Sequence, residues 1–175
     1  MHLIVLLIPQ KVRLGGNKMF GVFKKKKAKT KVLTPVAGEV IKIEAVADPV
    51  FNQKMMGEGF AVKPANGKIS SPIKGQIKAI FPTKHALTIE GENGLNLLIH
   101  VGLDTVDLNG KGFDISIAEG QRVSAGDTLL SVDLEVLKSN DKDNSVIVVF
   151  PEQPDLELFI NEGVFEKVAV AAVVN

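Results

Sequence analysis

Cysteine is missing altogether from the 175 residues. No disulfide, thiolate nucleophile or cysteine-ligated metal can therefore be built, and the chain suits a reducing compartment. Tryptophan and tyrosine are absent too, so any aromatic stacking surface must come from the nine phenylalanines. Neither sign of charge is in excess. Lys and Arg number 21 against 20 Asp and Glu, a formal net charge of +1, which gives no electrostatic footprint for nucleic acid. Although 45% of the residues are hydrophobic, no run approaches the ~20 apolar residues of a membrane-spanning helix. The early run Leu3 to Ile8 has no positive charge before it and no small-residue cleavage site after it, which argues against a signal peptide.

What remains is a chain long enough for one domain with a proper core. A second methionine, Met19, opens a segment that runs into Lys24–Lys27. Translation is expected to start there, with residues 1–31 a flexible tail and residues 32–175 the domain. Phe20 and Phe23 precede the lysine run, so the tail reads either as a solvated leader or as a weak anchor to anionic lipid. In the second case each Lys would add about 1 kcal/mol, but two Phe side chains bury too little area to hold alone. Weak or no membrane contact is the expectation.

From Val32 the texture becomes short β-type segments punctuated by Gly and Pro. Thr34-Pro-Val-Ala-Gly-Glu-Val-Ile-Lys-Ile43 is echoed by Ser71-Pro-Ile-Lys-Gly-Gln-Ile-Lys-Ala-Ile80, which predicts two related β-units packed together. Val40, Ile41, Ile43, Ile77 and Ile80 are core candidates. Between the repeats Asp48 leads a cluster of Val50, Phe51, Met55 and Met56 in a loop or single helical turn. Composition favours core for that cluster; an adaptable docking patch is the alternative. Later, Gly120 and Gly126-Asp127 bracket a short strand, Asp133 can cap a turn or two of helix over 134–140, and Val146–Phe150 and Val164–Val174 read as strands. The sum is an all-β fold, an antiparallel sandwich or barrel with minor short helices.

Two of the three histidines, His85 and His100, flank the glycine-bounded gap Gly91-Glu-Asn-Gly94. Apolar runs around a Gly/Asn turn predict a β-hairpin. If Gly91–Gly94 is a four-residue loop, Glu90 faces Leu95 and His85 faces His100, with Cβ atoms about 4.5–5.5 Å apart. Thr83 then shares their face; a one-residue slip would separate the imidazoles. Such a pair suits phosphoryl carriage, because a neutral imidazole is a free nucleophile near pH 7 and a second ring with a hydroxyl can donate to phosphoryl oxygens. It also suits zinc, although two ligands leave the usual three or four incomplete; Asp104 or a partner could contribute. General acid–base work lacks a paired nucleophile, and two structural histidines are the bland reading.

The segment Gly94-Leu-Asn-Leu-Leu-Ile-His-Val-Gly-Leu-Asp-Thr-Val-Asp-Leu-Asn-Gly-Lys-Gly-Phe113, with Phe81-Pro-Thr-Lys-His-Ala86, resembles the signature of the glucose-type enzyme IIA of the bacterial phosphoenolpyruvate-dependent sugar phosphotransferase system. Asp48 to Gly59 and Glu119-Gly-Gln-Arg-Val-Ser-Ala-Gly-Asp127 match as well. The resemblance implies a cytoplasmic phosphocarrier, peripheral to the membrane at most. His100 would be phosphorylated on Nε2, His85 would support transfer and Thr83 would hydrogen-bond within the site. The donor would be the phosphohistidine of HPr and the acceptor a cysteine of a sugar-specific enzyme IIB of the IIB/IIC permease. The docking patch would comprise Val50, Phe51, Met55, Met56, Phe81 and Val106, edged by Asp48 and Asp104, which reverses the composition-based reading of Phe51 and Met56. No cofactor is required. Some members complete a zinc site from both histidines and a partner's carboxylate, and unphosphorylated members often regulate other proteins.

Two departures from the family pattern stand out: Thr88 replaces a small residue, and Asp143–Phe150 lacks the usual Thr-Pro. The rivals are weaker. A zinc peptidase of similar β-core wants His-x-His, and position 98 is Leu. A biotinyl or lipoyl carrier wants a lysine at a hairpin tip. A binding module that had lost transfer would have lost a histidine.

Overall fold

The computed structural model describes residues 29–175 apart from Asn93 and Lys167. The expected start at Met19 and the anchor at Phe20, Phe23 and Lys24–Lys27 lie outside the described residues. Fourteen strands are described: β1 (Thr30–Leu33), β2 (Gly38–Lys42), β3 (Glu58–Pro64), β4 (Lys68–Ser70), β5 (Gly75–Ile80), β6 (Ala86–Gly91), β7 (Asn96–Val101), β8 (Phe113–Ile115), β9 (Arg122–Val123), β10 (Thr128–Val132), β11 (Val146–Phe150), β12 (Leu158–Ile160), β13 (Gly163–Phe165) and β14 (Val170–Val174). Two short α-helices, α1 (Pro49–Asn52) and α2 (Leu134–Ser139), and two 3-10 turns complete the elements. The all-β expectation holds. The first strand starts at Thr30, two residues before the boundary read from the sequence.

The strands form an eight-stranded sheet, β13-β2-β3-β11-β7-β6-β5-β9, and two three-stranded sheets, β1-β14-β12 and β4-β10-β8. Pairing is antiparallel throughout. The internal repeat is the key to this order. Each copy passes through a bend into a strand that opens on glycine, Gly38 in one and Gly75 in the other. The two openings exchange equivalent bonds: Leu33 N–H donates to Pro72 O (2.9 Å) and Ser70 N–H to Pro35 O (2.7 Å). Likewise Thr34 N–H donates to Ala169 O and Ser71 N–H to Asp127 O. Val36 and Val40 of one copy, with Val32 just before it, share the main core with Ile73 and Ile77 of the other and Ile69 just before that. A pseudo-twofold axis therefore passes between the central strands β7 and β11.

Those central strands are covered on both faces. All five residues of β11 are buried, as the continuous apolar run Val-Ile-Val-Val-Phe requires. Val146, Val148 and Phe150 face the main core, whereas Ile147 and Val149 join a second cluster with Ile43, Phe51, Leu98 and Leu103. The 3-10 turn Ile43–Ala45 and α1 lie over this second cluster and contribute Ile43 and Phe51 to it. Of the other core candidates, Val40 and Ile77 are buried and Ile41 and Ile80 are half-buried.

Asp133 caps α2 as expected, accepting from Glu135 N–H and Val136 N–H. The strand expected over 164–174 is two strands instead. β13 edges the large sheet and β14 sits in the middle of a small one, so the chain must leave one sheet and enter the other between them. Among the described residues no helix is long and apolar enough to cross a membrane.

Candidate functional site

Strand alternation along β7 sends Leu97, Ile99 and Val101 into the main core and turns Leu98 and His100 to the second face. His100 is paired there with Ala86 on one side and Ile147 on the other. The hairpin register is one residue away from the sequence expectation. Gly91 N–H donates to Leu95 O, so Glu90 faces Asn96 rather than Leu95, and His85 stands opposite Val101 rather than His100. Gly91 extends the strand and shortens the loop, which the glycine-bounded spacing did not reveal.

The imidazoles meet nonetheless. His85 precedes β6 and belongs to a tight turn in which Lys84 N–H donates to Phe81 O and Phe81 N–H to Ala86 O. Lys84 adopts a left-handed conformation, φ +59°, which is costly for a side-chain-bearing residue. It releases His85 from the strict alternation of the strand. The two rings stand edge to face with centroids 4.8 Å apart. Thr83 Oγ1 lies 2.6 Å from His85 Nδ1, so all three expected residues come together.

The chain after His100 accounts residue by residue for the motif His-Val-Gly-Leu-Asp-Thr-Val. Gly102 has φ +78°, and a Cβ there would lie 2.4 Å from Thr105 Cγ2 and 2.6 Å from Asp143 O, so no larger residue fits. Leu103 packs in the second cluster. Asp104 is left-handed and exposed, opening the 3-10 turn Thr105–Leu108. Thr105 is buried and donates to Val101 O at 2.6 Å, closing the loop that leaves Val106 at the surface.

These residues border an open depression of about 300 Å³, lined by Asp48, Val50, Phe51, Met56, Phe81 and Asp104 with Val106 around the two histidines. Asp48 is the N-cap of α1, accepting from Val50 N–H (2.8 Å) and Phe51 N–H (3.3 Å), a standard use of aspartate. Pro49 follows at the first helical position, where its missing N–H costs nothing. Phe51 is 7% exposed and packs edge-on against His100 at 5.1 Å. It is a wall of the depression rather than its rim, as composition alone had favoured. Met56 is half-buried against the same cluster. Val50, Phe81 and Val106 stay 40%, 41% and 49% exposed and form the rim. Met55 is more exposed still, at 69%, and lies outside the lining.

Burial sets the electrostatics. Desolvation, followed by the neighbouring His85, pushes the His100 pKa down to about 4. The Gly102 backbone carbonyl, Asp48 and Asp104 act in the opposite sense and are outweighed. Desolvation also lowers the His85 pKa. Both rings are neutral near pH 7. Nδ1 of His100 is buried and has no partner in good hydrogen-bond geometry, yet the Gly102 carbonyl favours the protonated ring. Nε2 is then the ring nitrogen left for chemistry. As a metal site the pair is incomplete: among the described residues no cluster of three or more His, Cys, Asp or Glu could hold an ion, and Asp104 does not supply the third ligand.

The family profile described as phosphoenolpyruvate-dependent sugar phosphotransferase system, EIIA 1, matches residues 30–156. The chain belongs to that family, in its glucose type. It is 48% identical over 126 residues to the glucose-specific EIIA component of Staphylococcus epidermidis, an alignment covering 72% of this chain and 76% of that one. It is 55% identical over 113 residues to the glucose-specific EIICBA component of Streptococcus pneumoniae, covering 65% of this chain but 16% of that longer protein. The solved glucose permease IIA of Mycoplasma capricolum superposes with a TM-score of 0.75 at 37% identity, covering 83% of this chain and 96% of that one.

Within this EIIA fold the two departures fall in different places. Thr88 is on the site face, paired with Leu98, but does not line the depression. The 143–150 segment is closer: Ile147 pairs with His100, and Asp143 and Ser145 bond to the Gly102–Leu103 stretch. Sequence reasoning missed Ala86, Leu98, Leu103 and Thr105 as lining residues. For Ala86 and Leu98 the available signal was strand pairing: in the observed register they share the face of His100.

Proposed function

We propose that this EIIA protein is a cytoplasmic phosphocarrier for glucose-type sugar uptake, taking a phosphoryl group from phospho-HPr onto His100 Nε2 and passing it to a cysteine of an enzyme IIB. The observation that carries the reading is the edge-to-face His85–His100 pair with Thr83 bound to His85 Nδ1, set in an apolar rim. In the first step the donor's N–P bond breaks as the Nε2–P bond forms; in the second, the cysteine sulfur takes the phosphoryl group and His100 regains its lone pair. A neutral His100 with its proton on Nδ1 is a ready nucleophile. Catalysis is then mainly positioning and charge stabilisation. If the Thr83 hydroxyl donates to His85 Nδ1, the His85 proton sits on Nε2, from where it can hydrogen-bond the phosphoryl oxygens.

Val50, Phe81 and Val106 would exclude water at the contact with either partner, and Asp48 and Asp104 would favour basic groups on them. The same rim would serve regulatory targets of the unphosphorylated form. Zinc would be held by both imidazoles only with a carboxylate lent by a partner, because the chain supplies two ligands where zinc wants three or four.

The test is incubation with phosphoenolpyruvate, enzyme I and HPr. Acid-labile, base-stable phosphate is expected on the wild type and none on His100→Ala. In His85→Ala uptake should survive while onward transfer to IIB fails. Uptake that persists in His100→Ala would overturn the reading.

A further inference from the structure

The departure at 143–145 has a structural consequence for His100. Leu103 N–H donates to Asp143 O at 3.2 Å, and Gly102 N–H donates to Ser145 O at 2.8 Å. The first of these bonds belongs to the same peptide unit as the Gly102 carbonyl. Because a trans peptide is planar, with its C=O and N–H pointing in opposite directions, anchoring the Leu103 N–H on one side aims the Gly102 carbonyl to the other. The Gly102 backbone also opposes the lowering of the His100 pKa by burial, and Nδ1 of that ring is buried without a hydrogen-bond partner. The donor and acceptor ends of this short chain also polarise one another.

The Asp143 side chain shapes the anchor itself. Its Oδ1 accepts from Ser145 N–H at 2.7 Å, closing the turn so that Asp143 O and Ser145 O both face the Gly102–Leu103 stretch. The absence of a Cβ at Gly102 lets the two segments approach this closely. A second tie holds the far end of the loop, where Lys142 Nζ lies 2.8 Å from Asp107 Oδ2 with the lysine side chain only 17% exposed.

We propose that Asp143 is a positioning residue for phosphoryl transfer: its turn holds the Gly102–Leu103 peptide so that His100 keeps its one proton on Nδ1 and presents a free Nε2. Asp143 touches neither the ring nor a substrate, and acts through Gly102. The proposal rests on His100 being the phosphoryl acceptor, but one of its two readouts does not.

The experiment records long-range 1H–15N spectra of histidine-labelled protein at a pH where both rings are neutral, together with the rate of phosphoryl uptake from phospho-HPr. In the wild type His100 should show a pyrrole-like Nδ1 and a pyridine-like Nε2. Asp143→Ala should mix the two tautomers and slow uptake about tenfold, within the range expected from modest misplacement of a reacting group. Asp143→Asn keeps an acceptor oxygen for Ser145 N–H and should restore both readouts. Should Asp143→Ala fail to fold, Asp143→Ser, with a weaker acceptor at the same turn, should show the same two changes at smaller size. A wild-type tautomer and rate in the folded variant would overturn the proposal, as would a slow rate with the tautomer unchanged. If uptake proves independent of His100, the functional reading fails while the spectra still report whether Asp143 sets the tautomer.

Discussion

The two halves of the molecule differ most instructively at the positions related by the pseudo-twofold axis. Counting outward from the β7–β11 pair by the alternation of core residues, Val149 stands where His100 stands. Gly59, the cross-strand neighbour of Val149, stands where Ala86 neighbours His100. In the half containing β3 and β11, Val149 is fully buried in the second cluster and Glu58 simply begins the strand. In the half containing β6 and β7, the left-handed Lys84 turns the chain so that His85 meets His100 beside an open depression. The duplicated scaffold supplies rigidity twice over. The site is set in the half containing β6 and β7 by the left-handed turn at Lys84 and the Gly102 loop, and α1, which connects β2 to β3 in the other half, reaches across to pack Phe51 on His100.

Gly102→Ala should break this comparison most severely. It combines a left-handed φ with a Cβ closer than 3 Å to Thr105 and Asp143, and should cost about 3 kcal/mol of stability. Gly120→Ala, at φ +82° with nothing within 4 Å, carries only the conformational penalty of about 1 kcal/mol. Urea unfolding of both variants measures the difference, and equal losses would mean that the close approach at Gly102 is unimportant.

The pH dependence of stability should sharpen the same contrast. The folded-state pKa of His100 lies below its ordinary value of 6.5, at about 4, so folding favours the neutral ring. That contribution is complete above pH 6.5 and is lost as the pH falls toward 4, on the order of 3 kcal/mol. His100→Leu should therefore lose less stability between pH 7 and pH 4 than the wild type. Identical pH profiles in urea titrations would mean that burial of the ring is not felt.

The smallest effect on the fold should come from the rim. Val106→Asp places a charge on a half-exposed side chain outside both core clusters and should change stability by no more than about 0.5 kcal/mol. It should weaken association with phospho-HPr about tenfold, as expected for a central apolar contact. Unchanged affinity by calorimetry would remove Val106 from the docking surface.

Much of the scaffold was legible in the sequence because its signals are local. Pro and Gly punctuation, the Val/Ile runs and the echo of 34–43 in 71–80 carried the all-β class and the duplication. The cap at Asp133 followed from local chemistry. The site was legible in membership but not in geometry. Thr83, His85 and His100 do converge, but not through the simple register, because Gly91 joins the strand and Lys84 turns out of it. Neither event has a signal in residue spacing. Burial of Phe51 depends on α1 folding back over the second cluster, a long-range event that a local apolar count supports without locating. The break between β13 and β14 was hidden because both segments have strand-like composition and only their different sheets separate them.

The central claim is that this geometry leaves Nε2 of His100 as the reacting atom, with Nδ1 buried. Phosphorylating 15N-histidine-labelled protein through enzyme I and HPr, then reading the ring nitrogens and the attached phosphorus by NMR, tests it directly. A single phosphoryl group bonded to Nε2 of His100 is expected. A phosphoryl group on Nδ1, or on any residue other than His100, would contradict it.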